Sequence, residues 1–158
     1  MAYFDFGFGL VPAHQHPNGG GWVADSAYVA DTAYVGPEAW VFGEAWVFDQ
    51  AWVSDQAWVF GGAVVFGSAV VNGNAKISGN AVVFGNAVVN GNAKVSGNVL
   101  VSGNAVVRGN ASVSGDSVVS GNAVISGDAA VFGHAWVTGN TVVNGNAVIS
   151  GDAVITHT

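Results

Sequence analysis

The side chains able to do chemistry are few and scattered. His14 and His16 stand two residues apart and could reach one metal ion. Two imidazoles with no third ligand nearby make a poor site, so both are expected to be solvent-exposed loop histidines. His134 lies in Gly133-His134-Ala135. A general base there needs an acceptor pocket and an orienting partner, and its sequence neighbours supply neither. Ser96, Ser102 and Ser120 recur at fixed repeat positions without a paired histidine or acid, so a nucleophile would lack its activating base. Asp25, Asp31, Asp49 and Asp55 lack the glycine-aspartate nonapeptide pattern of calcium-binding β-rolls. Catalytic residues, cofactors and metals are therefore expected to be none, and no small-molecule substrate is evident.

Composition narrows the partners further. The chain has three Lys and Arg against ten Asp and Glu, for a net charge of -7, which disfavours nucleic acid. Zero cysteines exclude disulfides and thiolate metal sites without deciding the compartment. No segment has the basic start and apolar core of a secretory signal, and no run of about eighteen apolar residues could span a bilayer. Membrane contact is accordingly not expected, and the compartment stays open. Ice binding through threonine rows is disfavoured, because outward threonines are nearly limited to Thr138 and Thr156.

What must hold these side chains is a repeat of six. An aliphatic column runs Val23, Val29, Val35 and every sixth residue to Ile149 and Ile155 without exception. Four residues after each member comes a second column, Ala27, Ala33 and onward, which departs from alanine only at Val99, Ser117 and Thr141. Within each Ala-x-Val-x unit the Ala and Val point to one side of an extended strand and the two x residues to the other. The following pair, usually Gly-Asn, tolerates the left-handed backbone of a sharp corner. If three sides close a coil, each turn takes about eighteen residues and successive turns stack as parallel strands roughly 4.8 Å apart. A decapeptide supports that number: Val71 to Asn80 recurs as Val89 to Asn98, eighteen residues later, with one conservative change.

This pattern resembles the hexapeptide-repeat, left-handed parallel β-helix family, whose aliphatic residue is followed four positions on by a small one, as Val89 is by Ala93. The resemblance covers about 85 per cent of the chain. It implies an all-β fold, a single left-handed parallel β-helix (a triangular β-solenoid) of about seven coils; the left-handedness comes from the family, not from the spacing. The lead-in His16-Pro17-Asn18-Gly19-Gly20-Gly21-Trp22-Val23 is similar to the start of hexapeptide-repeat proteins often labelled transferases. The acyltransferase branch implies a catalytic histidine facing a cleft between subunits of a trimer, helped by a loop protruding from a coil. Here His134 is the only histidine inside the repeat, no insertion interrupts the hexads and no C-terminal helix is expected. Acyltransferase activity is thus not expected, and His134 reads as a substitute for a turn asparagine.

Two regions follow. Residues 1–21 form an N-terminal apolar arm and glycine-rich lead-in, and 22–158 the solenoid. In the arm Phe4, Phe6, Phe8 and Leu10 alternate with Asp5, Gly7 and Gly9, the signature of a short strand with one apolar face. That strand is expected either to plug its own first coil or to dock on a neighbour, with Pro12 and Pro17 to Gly21 as a hinge.

The outward positions of the early hexads are aromatic: Tyr28, Tyr34, Trp40, Trp46, Trp52 and Trp58, thickened by Phe42, Phe48, Phe60 and Phe66. Aromatic rings stack well between rungs, yet a water-facing belt of this size exceeds what a monomer normally exposes. Taking every third hexad sorts the outward residues by side. One side carries Tyr28, Trp46, Val64, Val82, Leu100, Val118, Trp136 and Val154, flanked by Phe48, Phe66 and Phe84. Strands apolar on both faces are strands buried on both faces. Their outer cover is expected to be another copy, through an interface that also takes in Phe4, Phe6, Phe8, Leu10, Trp40, Trp52 and Trp58.

The corner asparagines, for example Asn74, Asn92 and Asn110, are expected mainly as turn formers, with amide ladders as the alternative. Beyond the last hexad only His157 and Thr158 remain, so an open final coil is expected to template further strands. The sequence therefore reads as a self-assembling structural β-solenoid that forms a homopolymer (filament, fibre or sheath) by coil stacking and lateral packing of apolar faces. The competing readings are a trimeric hexapeptide-repeat acyltransferase or an inactive relative, and a module whose aromatic belt adheres to a hydrophobic surface.

Overall fold

Alternation at the period of two, interrupted by a corner every sixth residue, dictates a coil of very short strands. In the computed structural model, which describes residues 2–157, each hexad contributes a strand of usually two residues. These strands form three walls of eight, eight and seven parallel members. We name the walls by a central residue: the Lys76 wall, the Leu100 wall and the Val106 wall. Residues eighteen apart are in register throughout, as Val64 with Val82 and Val82 with Leu100. Between seven and eight coils of about eighteen residues result, one strand for each member of the column from Val23 to Ile155. No helix occurs among the described residues. The chain is a β-solenoid.

The interior is the aliphatic and alanine columns. From Val35 to Val137 every Val or Ile of the column is fully buried, and the alanines between them reach 1% exposure at most. Coil-to-coil hydrogen bonds continue through the corners: Val64 N donates to Ala81 O at 2.9 Å, and Asn86 N to Gly103 O at 2.9 Å. Corners therefore stack as regularly as strands. The two hydroxyls in the alanine column are buried without leaving an orphan, since Ser117 Oγ donates to Ser114 O (2.9 Å) and Thr141 Oγ1 to Thr138 O (2.7 Å). An unpartnered hydroxyl there would cost about 1–3 kcal/mol.

The corner asparagines do more than turn the chain, which corrects the expectation from propensity alone. Asn74 Nδ2 donates to Asn92 Oδ1 and Asn92 to Asn110, both at 3.2 Å, and Asn110 to Asp128 at 3.1 Å. A second ladder runs from Asn80 to Asn98 to Asp116, and a third from Asn104 to Asn122 to Asn140. All donate toward the C-terminal end, and two of them finish on a carboxylate, which accepts but cannot pass the chain on. Asn98→Ala removes two of these bonds and is expected to lower stability by about 1 kcal/mol. Asn98→Asp, which sets two carboxylates against each other at Asp116, is expected to lose more at neutral pH than the alanine variant when both are unfolded in urea.

The N-terminal arm departs from its predicted form. Instead of one strand over the alternating stretch, it is an antiparallel hairpin of β1 (Tyr3–Asp5) and β2 (Leu10–Gln15). Between them Gly7 and Gly9 adopt φ of 113° and 114°, and the Asp5 carboxylate accepts their amides at 2.7 and 2.9 Å. Those amide donors, Gly9 foremost and then Gly7, hold the Asp5 carboxyl below its ordinary value. β2 then pairs antiparallel with β3 (Trp22–Ala24), so the hairpin extends the Lys76 wall to ten strands. Pro12 lies inside β2 and is no hinge. Residues His16 to Gly21 cross the start of the Val106 wall, where Val35 N donates to Asn18 O (3.0 Å) and Gly21 N to Val35 O (2.9 Å). The arm covers the first coil of its own chain.

Candidate functional site

The predicted chemical residues do not converge. His16 is 2% exposed and bonded through Nε2 to Ala33 O at 2.8 Å, so the expectation of an exposed loop side chain is corrected for this histidine. Its ring anchors the cap. His14 is exposed and pairs through Nδ1 with the Asp25 carboxylate at 2.7 Å. His134 is exposed at a corner, 3.3 Å from Asp116 Oδ2, in the place the amide ladder would give to an asparagine. Among the described residues no three His, Asp or Glu side chains gather closely enough to hold a metal. Asp49 and Asp55 occupy the left-handed corner position otherwise held by glycine, with φ of 58° and 56°, and accept the Gly67 and Gly73 amides of the following coil. They are structural.

The aromatic residues resolve into separate stacks, one set per wall, set by the eighteen-residue register. On the Lys76 wall Trp40 and Trp58 lie 4.9 Å apart and nearly parallel, and Lys76 Nζ sits 4.9 Å over the Trp58 ring. Lys76 is the direct strand neighbour of Lys94 on its other side, and the ring contact draws its ammonium toward Trp58 and away from that like charge. Phe4 stacks on Trp22 at 4.7 Å and meets Trp40 edge-on at 5.3 Å. Phe6 stacks on Phe42 at 5.0 Å and is 3% exposed. This sector of the belt is roofed by its own hairpin, leaving Trp40 and Trp58 half-buried and Phe6 sealed from any partner. Trp22 was missed as a member, although Trp22, Trp40 and Trp58 are spaced by eighteen. An open groove of about 590 Å³ runs beside this stack, between the rings and the corner residues Glu38, Gln56 and Asn74. Phe8 and Leu10 remain exposed at the hairpin tip. On the Val106 wall Tyr34 stacks on Trp52 at 3.9 Å.

The Leu100 wall is the one over which none of the described residues of the N-terminal segment pass. Its eight outward leading residues, Tyr28, Trp46, Val64, Val82, Leu100, Val118, Trp136 and Val154, are aligned by direct strand pairing from end to end. Trp46 is 54% exposed, Trp136 52% and Leu100 40%. Beside them Phe48, Phe66 and Phe84 stack in parallel at 4.9 and 5.0 Å. No outward position of this wall carries a charge. A strand face exposed to water normally carries polar side chains, and the leading column of this one carries hydrocarbon along its whole length.

Comparison with known families gives one match, to the YdcK Beta solenoid repeat, over residues 75–91 and 93–109. Each matched stretch of about one coil lies in the middle of the stack, where Gly-Asn corners and the Asn ladders are most regular. No curated protein and no solved structure matches the chain. What the chain is similar to is therefore a β-solenoid repeat, in agreement with its fold.

Proposed function

We propose that the protein is a structural, self-associating β-solenoid of the hexapeptide-repeat kind, a subunit that packs sideways against copies of itself through two apolar-fronted walls, the Leu100 wall and the Val106 wall with its leading column from Tyr34 to Val142, and so builds a homopolymer. The observation that carries this reading is the Leu100 wall, uncharged at its outward positions and with a leading column apolar over eight rungs. Covering each of its large side chains contributes roughly 1.5–3 kcal/mol by transfer estimates. Eight such residues together can offset an association cost of about 4–15 kcal/mol. The hairpin lies on its own first coil, so we place assembly at the walls and not at an exchanged arm. A non-catalytic role is part of the same reading, supported by the place of His134 on an exposed corner, in the column of the Asn80–Asn98–Asp116 ladder.

Sedimentation velocity over a hundredfold concentration range, with negative-stain microscopy of the top samples, tests the proposal. Mass that grows with concentration and elongated assemblies in the images are expected. A single-copy species at every concentration overturns the structural reading, and a discrete trimer of constant mass points to the transferase architecture instead.

A further inference from the structure

The Leu100 wall is not uniform along its length, and its unevenness specifies how a second copy fits. Its second outward column reads Ala30, Phe48, Phe66, Phe84 in the first four coils and Ser102, Ser120, Thr138, Thr156 in the last four. Bulk and its absence change places at the midpoint. We infer that two copies associate through this wall with their solenoid axes antiparallel, about a two-fold axis that runs along the strands between coils four and five. This inference rests on the reading above and deepens it by fixing the partner's orientation at this wall: the two-fold closes the Leu100 wall on a pair, and growth beyond the pair falls to the Val106 wall.

The fit follows from counting rungs. The two-fold sets the first rung of one copy against the eighth of the other, the second against the seventh, and so on. Phe48, Phe66 and Phe84 then lie over Thr138, Ser120 and Ser102 of the second copy, a large residue on a small one each time. In the leading column Trp46 meets Trp136, Val64 meets Val118 and Val82 meets Leu100. The wall is thus complementary to itself, as an isologous contact must be. A two-fold along the solenoid axis would instead lay the leading column on the second column at equal height. Trp46 would strike Phe48 at one end and gaps would open around Ser102 and Ser120 at the other, whereas close packing tolerates neither overlap nor voids.

The self-complementary relief selects a second copy of this chain as the occupant, and charge permits it. The chain carries -7 overall, but the outward positions of this wall carry none of it; the nearest acids, among them Glu44, Asp49 and Asp116, stand on the corners at its edges, so a second copy can seat on the wall without burying a carboxylate. A wall of eight rungs at roughly 4.8 Å and four residues at about 3.3 Å offers on the order of 500 Å² of flat area per copy. Side-chain relief raises the accessible area toward the roughly 800 Å² a side of a standard stable interface.

The chain has no cysteine, which makes single-site labelling clean. Nitroxides placed at Gln50→Cys or Asn86→Cys, exposed corner residues in one column of this wall, report the orientation by pulsed electron spin resonance. In the antiparallel pair the two Gln50 labels are separated along the axis by about five rungs, roughly 24 Å, and the two Asn86 labels by about one rung, roughly 5 Å. A clearly longer Gln50 distance is the expected result. Equal distances at both sites overturn the antiparallel arrangement while leaving lateral association standing; unlabelled protein that stays single-copy removes both. Size exchange gives a second readout. Ser120→Phe, which sets phenylalanine against Phe66, is expected to weaken association about tenfold or more, and adding Phe66→Ser is expected to restore it to within about threefold of the parent. A double variant no tighter than Ser120→Phe alone counts against the proposed facing of these columns.

Discussion

Val83→Asp is expected to abolish folding, and Val82→Asp, one residue away, to leave the fold intact and weaken association through the Leu100 wall by about a hundredfold or more. Val83 is fully buried in the column between Val65 and Val101. An aspartate there has no donor or cation within the aliphatic interior, and an unpaired buried carboxylate costs several kcal/mol even after relaxation. The lost valine burial adds roughly 1.5–3 kcal/mol. Because solenoid stability is close to a sum over neighbouring coils, a break in the fourth coil separates two short stacks that must each survive alone. Val82 points the other way, half-exposed on the Leu100 wall between Val64 and Leu100. On the folded chain its carboxylate stays hydrated, and the cost is limited to strand preference, about 1 kcal/mol or less. Covered by a second copy, the same charge is desolvated without a partner, so association should weaken by about a hundredfold or more. Circular dichroism and thermal melting check the first variant, and sedimentation of the second checks the wall. A Val82→Asp protein that assembles like its parent would remove this wall from the interface.

That pair also marks where the sequence was sufficient and where it was not. Inside and outside follow from a period of two within a period of six, and both columns hold their phase from Val23 to Ile155, so the walls, register and core of the solenoid were legible residue by residue. The arm was not, because its alternation of Phe4, Phe6, Phe8 and Leu10 is also what a hairpin produces when glycines sit at its bend. Gly7 and Gly9 at positive φ, tied to the Asp5 carboxylate, decide for the hairpin, and nothing local in the sequence ranks that turn above a straight strand. His16 was misjudged for a related reason. Its burial depends on Ala33 O, seventeen residues away, a partner that appears only when the first coil is closed. The ladders were visible as columns of asparagine but not as bonds, since side-chain donors and acceptors meet only if the corners stack at backbone spacing, as Asn86 N to Gly103 O demonstrates.

Gly79→Ala is expected to be far more damaging than the same change at a corner with no coil stacked on it. Gly79 has φ of 65°, which L side chains adopt at a cost of roughly 1–2 kcal/mol. A Cβ there would lie 2.6 Å from Gly97 N and 3.1 Å from Gly97 O, both backbone atoms of the next coil. No rotamer relieves that overlap, so the corners must move apart, and Asn80 N loses its 2.9 Å bond to Gly97 O. Gly145→Ala supplies the control, because φ is again 62° but nothing lies within 4 Å of the added carbon. The control should lose only the conformational term, and Gly79→Ala at least about 2 kcal/mol more, read from urea unfolding of both proteins. Asp49 and Asp55 sharpen the argument, for they carry a Cβ at the same backbone angle and survive. Each uses its carboxylate to accept the amide of the glycine that follows it eighteen residues later, an attraction alanine cannot supply. The corner is closed to Ala, on this argument, because stacking brings bare backbone onto bare backbone, and equal losses at Gly79 and Gly145 would show that the left-handed angle alone sets the requirement for glycine.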